Sequence, residues 1–315
     1  MILCCGEALI DFVPFSGENA YRPCPGGSIY NIAVGLGRLE IPVSFFSKIS
    51  KDFFGDILLE YLVENDVETN YCPRSSASTT LAFVSLSNDE ADDEPQYAFY
   101  ATNSADRSLT ESELPPHISR NVEALHFGSI SLAMEPGATS LETLMRRESG
   151  NRIISLDPNI RPSLIHDRDA YRQRFKQWVK LIDIIKLSQA DLSWIYPDED
   201  IEQITEHWFN EGVSLCILTL GSVGAKGFVS GRKPVFVPAP KVEVADTVGA
   251  GDAFLAATLA YLHKSGFLYS KEKLQKVSSE QLSDCLTYAN RAAMINCMRE
   301  GANPPYIHEL EFKDE

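Results

Sequence analysis

Apolar positions along this chain gather into short runs and stripes whose spacing predicts alternating strands and helices. The run Ile2–Cys5, continued through residues 7–13, predicts a first core strand that leaves Asp11 near its exit. Residues 14–25, rich in proline, glycine and polar groups, predict a loop or a short outlying strand. Ile32, Leu36 and Leu39 recur at helical spacing behind Gly26 and Gly27, which let the backbone of that helix start approach a ligand. Residues 44–46 with Ile49 predict a second strand, and 53–65 a second helix. Two β-rich pieces, 79–86 and 96–100, flank the acidic stretch 88–94; they predict a hairpin with a solvated tip, a candidate lid.

Downstream, apolar runs at 124–127, 153–156, 184–187 and 215–220 alternate with helical stripes at 141–147, 170–181 and 201–210. Such alternation predicts an α/β fold, a mostly parallel sheet with helices on both faces. Residues 225–230 and 234–238 predict a second hairpin at the sheet edge, and 279–299 a long helix that closes the chain. No internal repeat or disordered linker interrupts the pattern. It predicts a single domain over 1–315, with a β lid drawn from about 13–25 and 71–109.

Charge narrows the partners. The 315 residues carry 44 acidic against 28 basic side chains, a net charge of −16, with no basic run. That balance argues against nucleic acid or an anionic membrane as a partner, while local backbone dipoles still permit a nucleotide. Seven cysteines, odd in number and without CxxC spacing, give no disulfide framework or zinc site. The opening residues lack the charged region of a signal peptide, and no apolar stretch reaches the roughly 18 residues needed to span a bilayer, so the cytoplasm is the expected compartment.

The candidate chemistry centres on residues 245–254. Asp246 and Thr247 are helix-capping residue types, and Leu255, Leu259 and Leu262 follow at helical spacing. Small residues at Gly249, Ala250 and Gly251 let the free N–H groups of a helix start close on an anion, which the helix dipole favours. Asp252 stands in that first turn, where a carboxylate is placed to take a proton from a hydroxyl attacking a phosphate. The plainer reading of the same spacing is a capped, tightly packed helix.

The stretch from Asp246 through Gly249, Ala250 and Gly251 to Asp252 resembles the C-terminal signature of the ribokinase-like (pfkB) sugar kinases, and Gly26, Gly27, Ser28 and Asn31 resemble the N-terminal one. The resemblance runs from Asp11 to Ala302 with the motifs in order. It implies a three-layer α/β/α sandwich with a small β lid, ATP as phosphate donor, Mg²⁺, and a monovalent cation, potassium in relatives, on carbonyl oxygens near Asp246 and Val248. Asp252 would be the base beside the amides of Gly249, Ala250 and Gly251. Asp11, Gly26, Gly27 and Asn31 would line the sugar site with Tyr100 of the lid. Arg161, in a segment resembling the Asp-Pro-Asn-x-Arg of fructokinases and 2-keto-3-deoxygluconate kinases, would face sugar or phosphate.

Ser188 and Asp191 take the places of the family's Asn-x-x-Glu, with Asp191 holding magnesium through water; the same pair also reads as a helix capping box. Thr219, Gly221 and Gly224 would follow the nucleotide phosphates and ribose, and Asn290 and Ala293 the adenine. The resemblance is closest to fructokinases. Ala101 stands where relatives often carry Arg after Phe-Tyr, which makes an acidic sugar such as 2-keto-3-deoxygluconate a poorer fit, with Arg107 or Arg161 as compensating cations. A nucleoside kinase, with Tyr100 or Phe99 stacked on the base, and a non-catalytic sugar or nucleotide sensor are the alternatives. A homodimer through lid strands near 80–100 is expected of exposed edges.

Overall fold

Among the described residues nine strands pair into one sheet, and its seven inner strands are buried along nearly their whole length. The computed structural model describes residues 1–14, 20–85, 96–197 and 199–310. In chain order the strands are β1 (Ile2–Cys5), β2 (Leu9–Pro14), β3 (Tyr21–Gly26), β4 (Val43–Phe46), β5 (Ile49–Ser50), β6 (Val67–Glu68), β7 (Arg74–Ser75), β8 (Thr80–Ser85) and β9 (Gln96–Tyr100). They continue as β10 (Ala124–Gly128), β11 (Ile153–Asp157), β12 (Ile184–Ser188), β13 (Leu215–Thr219), β14 (Gly224–Val229) and β15 (Val235–Pro238). The large sheet runs β15-β14-β13-β12-β11-β10-β1-β4-β6, parallel from β13 through β6, with the β14–β15 hairpin antiparallel at the edge.

The helices are α1 (Ser28–Arg38), α2 (Phe53–Glu64), α3 (Gly137–Glu148), α4 (Arg168–Val179), α5 (Gln189–Ile195), α6 (Ile201–Glu211), α7 (Ala250–Lys264), α8 (Lys271–Leu274), α9 (Ser279–Cys297) and α10 (Ile307–Leu310). Period-two alternation divides the core. Ile2 and Cys4 of β1 face one cluster with α1, α7 and α9, while Leu3 and Cys5 face the other, with α3, α4 and α6. Two apolar layers on one sheet make the three-layer α/β/α sandwich. Among the described residues no helix is long and apolar enough to cross a membrane.

The first-strand expectation needs correction. β1 stops at Cys5, and Gly6 N–H donates to Phe46 O at 3.1 Å before the chain leaves the large sheet. Asp11 lies in β2, a separate strand of a four-stranded sheet ordered β3-β2-β8-β9. The apolar run concealed the break because β1 and the first two residues of β2 are all buried, each strand in a different sheet. Likewise Ile49 belongs to β5, paired only with β7, and the stretch before Gly26 is the edge strand β3, where Pro23 and Pro25 are tolerated. The hairpin is present as antiparallel β8 and β9, and its acidic turn lies outside the described residues.

Candidate active site

Two helix N-termini meet at one carboxylate. α7 begins at Ala250 with Gly249 as its cap, at φ 76°, and neither Asp246 nor Thr247 caps it by a side chain. A Cβ on Gly249 would lie 2.6 Å from Ala302 Cβ, so both the left-handed backbone and the close approach require glycine there. Asp246 instead accepts from Val248 N–H (3.0 Å) and Gly301 N–H (2.8 Å), stapling the loop before the helix to the loop after α9. Ala250 N–H turns back to Thr247 O at 3.2 Å. The next amides of the turn, those of Gly251 and Asp252, belong to the set a helix start leaves without an i−4 partner of its own.

From this turn Asp252, 7% exposed, reaches across to α1. Its Oδ1 accepts from Ser28 Oγ at 2.7 Å and its Oδ2 from Asn31 Nδ2 at 2.9 Å. Asn31 therefore sits in the first turn of α1 as a partner of Asp252. Burial pushes the Asp252 carboxyl above its ordinary value, against the pull of these two bonds and of Lys186 and Arg161. Gly27 caps α1 without a side chain, and Glu7 supplies the missing acceptor, its Oε1 taking Ile29 N–H at 3.4 Å.

Asp11 comes to the same place from the small sheet. A Cβ on Gly26 would lie 2.1 Å from Asp11 Oδ2, so the glycine of the neighbouring strand is what leaves room for the carboxylate. Burial raises the Asp11 pKa to about 7, with Asp252 and Glu7 adding to the effect and Arg161 opposing it. Tyr100 is not part of this cluster. The register sets Asp11 opposite Ala82 and Ala82 opposite Phe99, which gives Phe99 the face of Asp11, where it packs with Leu9, Ala82 and Ile130. Tyr100, 65% exposed, turns to the outer face and meets Phe83 edge-on at 5.5 Å, beside Phe12. One residue of register separates the two rings.

The carboxyl ends of β11 and β12 complete the ring of polar groups, where open α/β sheets bind ligands. Asn159, at φ 34°, donates from Nδ2 to Ser28 Oγ at 2.8 Å and accepts from Arg161 Nη1 on Oδ1 at 2.6 Å. A bonded chain thus links Arg161 to Asp252 through Asn159 and Ser28. Ser188 and Asp191 form the expected capping box of α5, and the other oxygen of Asp191 accepts from Ile160 N–H at 2.7 Å. Both oxygens of Asp191 are therefore committed, Oδ1 to holding the Arg161 loop and Oδ2 to capping α5 at Ser188. Behind them, Lys186 Nζ donates to Asp157 Oδ2 at 2.7 Å. Ser28, Asn159, Asp157 and Lys186 carried no individual role in the sequence reading.

The remaining expected residues lie along the same sheet edge and around α9. Thr219 ends β13, with Gly221 and Gly224 bounding the turn into β14. Asn290 is buried and donates to Val237 O (3.2 Å) and Pro238 O (3.3 Å), and Ala293 follows one turn later on α9. Val248 O accepts from Asn296 Nδ2 at 2.7 Å. Among the described residues no group of three or more His, Cys, Asp or Glu is arranged to hold a metal ion.

A mostly parallel sheet with a carboxylate in a helix start at its carboxyl edge, faced by a small sheet, is a ribokinase-like arrangement. The pfkB family carbohydrate kinase model matches residues 1–309, and the chain belongs to that family, an ATP-dependent sugar kinase. A fructokinase of Rhizobium leguminosarum bv. trifolii is 44% identical over 86% of this chain and 82% of its own. The crystal structure of a Xylella fastidiosa fructokinase with bound ATP superposes with a TM-score of 0.87 at 27% identity, covering 98% of this chain and 96% of the other. A Vibrio cholerae fructokinase bound to fructose, ADP and calcium gives 0.82 at 25%, covering 98% and 95%.

Proposed function

We infer that this chain transfers the terminal phosphate of ATP to a primary hydroxyl of D-fructose, with Asp252 as the base. The observation that carries this reading is the position of Asp252: first turn of α7, beside amides open to an anion, and electrostatically coupled to Asp11 across the cleft. Asp11 accepts sugar hydroxyls from the lid side, and the amide oxygen of Asn31 offers a second acceptor. Ser28 and Asn31 hold the base in place. As the sugar enters, its hydroxyl replaces one of these bonds and gives its proton to the carboxylate while the oxygen attacks the terminal phosphorus in line, and the bond from that phosphorus to the bridging oxygen breaks to release ADP. The amides at Gly251 and Asp252 meet the charge that develops on the phosphoryl oxygens, and Arg161 adds a cation from the β11 loop.

Thr219, Gly221, Gly224 and Ser188 along the sheet edge, with Asn290 and Ala293 on α9, are proposed to seat the nucleotide. Magnesium is proposed to enter with ATP. The carboxylate proposed for that task, Asp191, already spends both oxygens on the protein, so a water-bridged contact is all it offers. A monovalent cation near Asp246 and Val248 would share a carbonyl that Asn296 already uses. The cytoplasmic setting is supported by seven unpaired thiols. A homodimer through the lid is supported by the exposed rings of Tyr21 and Tyr100 on its outer face.

The test is ADP release across a panel of fructose, glucose, ribose, 2-keto-3-deoxygluconate and nucleosides. Fructose is expected to give the highest kcat/KM. Preference for 2-keto-3-deoxygluconate, or ATP binding without turnover of any sugar, would overturn the assignment.

A further inference from the structure

The face of the sheet beneath α1 and α7 is apolar except for one seam, which starts on β10 at buried His126, its Nδ1 3.1 Å from Ser155 Oγ. On β11, Ile153 packs into that layer, yet Ser155 and Asp157 occupy the next two inward positions; on β12, Ile184 is followed two residues on by Lys186. The register aligns Ser155 with Ile184 and Leu156 with Ile185, which brings Asp157 beside Lys186. Lys186 is 4% exposed and Asp157 0%. A Cβ built on Gly251 would stand 3.2 Å from Lys186 Nζ, so the ammonium lies directly under the opening turn of α7. Of its three N–H groups, one serves Asp157.

A pair of this kind is poor evidence of a stabilising device. The desolvation of two buried charges commonly exceeds their attraction, and well-packed apolar residues of the same volume do as well or better. Its placement is what calls for explanation. A helix N-terminus already carries partial positive charge, and a lysine set against it is unfavourable unless an anion is to be held there.

We propose that Lys186 is a positioning residue for phosphoryl transfer, anchored by Asp157 so that its ammonium charge stabilises the carboxylate of Asp252 and draws the transferring phosphate onto the α7 turn. The proposal rests on the reading of Asp252 as base and of that turn as the phosphate site. Burial works against the charge on Lys186, but Asp157, Asp191 and Asp252 together outweigh it and keep the side chain protonated. The charged groups coupled to Asp252 are Lys186 from β12, Arg161 from the β11 loop, Asp157 from β11 and Asp11 from the small sheet, with Glu7 adjoining Asp11. Lys186 and Arg161 are the two charged groups that favour its ionised form. His126 on β10 also faces Lys186, and burial and that ammonium push its pKa down to about 3, so it carries no charge into the seam.

The experiment compares Lys186→Gln, the double variant Lys186→Met/Asp157→Asn and Asp252→Asn with the wild-type chain. Lys186→Gln removes the charge and keeps a donor for Asp157. It is expected to lower kcat about 10²-fold, the scale of one preorganised electrostatic contact, with fructose KM within about threefold. It should also move the acid limb of the kcat/KM profile to higher pH, because Asp252 loses a cation. The double variant leaves no unpaired charge and is expected to fold cooperatively with kcat still depressed to a similar extent.

Any of three results overturns the proposal: a folded Lys186→Gln enzyme with kcat within about threefold of wild type, an unmoved acid limb in that variant, or recovery of kcat in the double variant. Recovery would trace the loss to a stranded Asp157. If Asp252→Asn itself turns over normally, the underlying reading fails instead, and the two failures are told apart.

Discussion

Replacing Asp252 with Asn is expected to lower kcat by roughly 10²–10⁴-fold, the usual worth of a positioned general base. The amide keeps the shape and one oxygen, so a bond from Ser28 or Asn31 survives and the α1–α7 contact stays closed. Fructose and ATP affinity should therefore change little. The wild-type profile should fall on the acid side at a pH above the ordinary carboxylate range, because burial raises the Asp252 pKa and only its ionised form takes the proton. The variant should lack that limb. Steady-state rates from about pH 5 to 9, with calorimetric titration of each substrate, check both statements. Loss of binding with kcat intact would make Asp252 a ligand for the sugar and no base.

Asp11→Asn should act on the other parameter. A charged acceptor contributes about 1.5–3 kcal/mol to a hydrogen bond, so one lost contact raises fructose KM roughly 10–10²-fold while kcat at saturation falls far less. The same change carries a stability signature of opposite sign. The folded-state pKa of about 7 lies above the unfolded value of 3.8, so the folded protein holds a proton there that the unfolded chain has released. The stability this group contributes is complete below pH 3.8 and is lost as pH rises through about 7. The Asn variant escapes that loss. It should melt above wild type at pH 8, by an increment worth a few kcal/mol, with little difference at pH 4. Thermal unfolding at the two pH values decides it. A variant less stable than wild type at pH 8 would mean that Asp11 is held charged by contacts worth more than its burial costs.

The sequence was most legible where one residue type had one physical task. Continuous apolar runs gave the buried parallel strands, and the Gly249–Asp252 turn gave the helix start, because glycine at a left-handed φ and a carboxylate one turn in leave few alternatives. The capping box of Ser188 and Asp191 was readable for the same reason. Three features were not. Asp11 read as the end of the first strand because β1 and the start of β2 are both buried, and a run of apolar residues does not say which sheet buries it. Tyr100 and Phe99 are neighbours in sequence, and only the β8 pairing decides which ring faces the cleft. Lys186 was passed over inside an apolar strand, although a charge at an inward-facing position is the signal that finds it: a lysine two residues beyond a core isoleucine is expensive unless partnered.

The small cavity lined by Glu7, Asp106, Arg107 and Ser131 shows the same limit from another side. At about 10 Å³ it has room for a single water, and Glu7 Oε2 is buried without a protein partner among the described residues. No spacing in the sequence announces it, since its walls come from the turns after β1 and β4, the segments after β9 and β10, and α3.

The most direct measurement of the central claim is a crystal structure of the chain with fructose and a non-hydrolysable ATP analogue. A primary hydroxyl of the sugar is expected within about 3 Å of an Asp252 oxygen, with the terminal phosphate on the Gly251 and Asp252 amides and Asp11 on the sugar's other hydroxyls. Fructose bound with every hydroxyl turned from Asp252, or a terminal phosphate seated away from the α7 start, would contradict it.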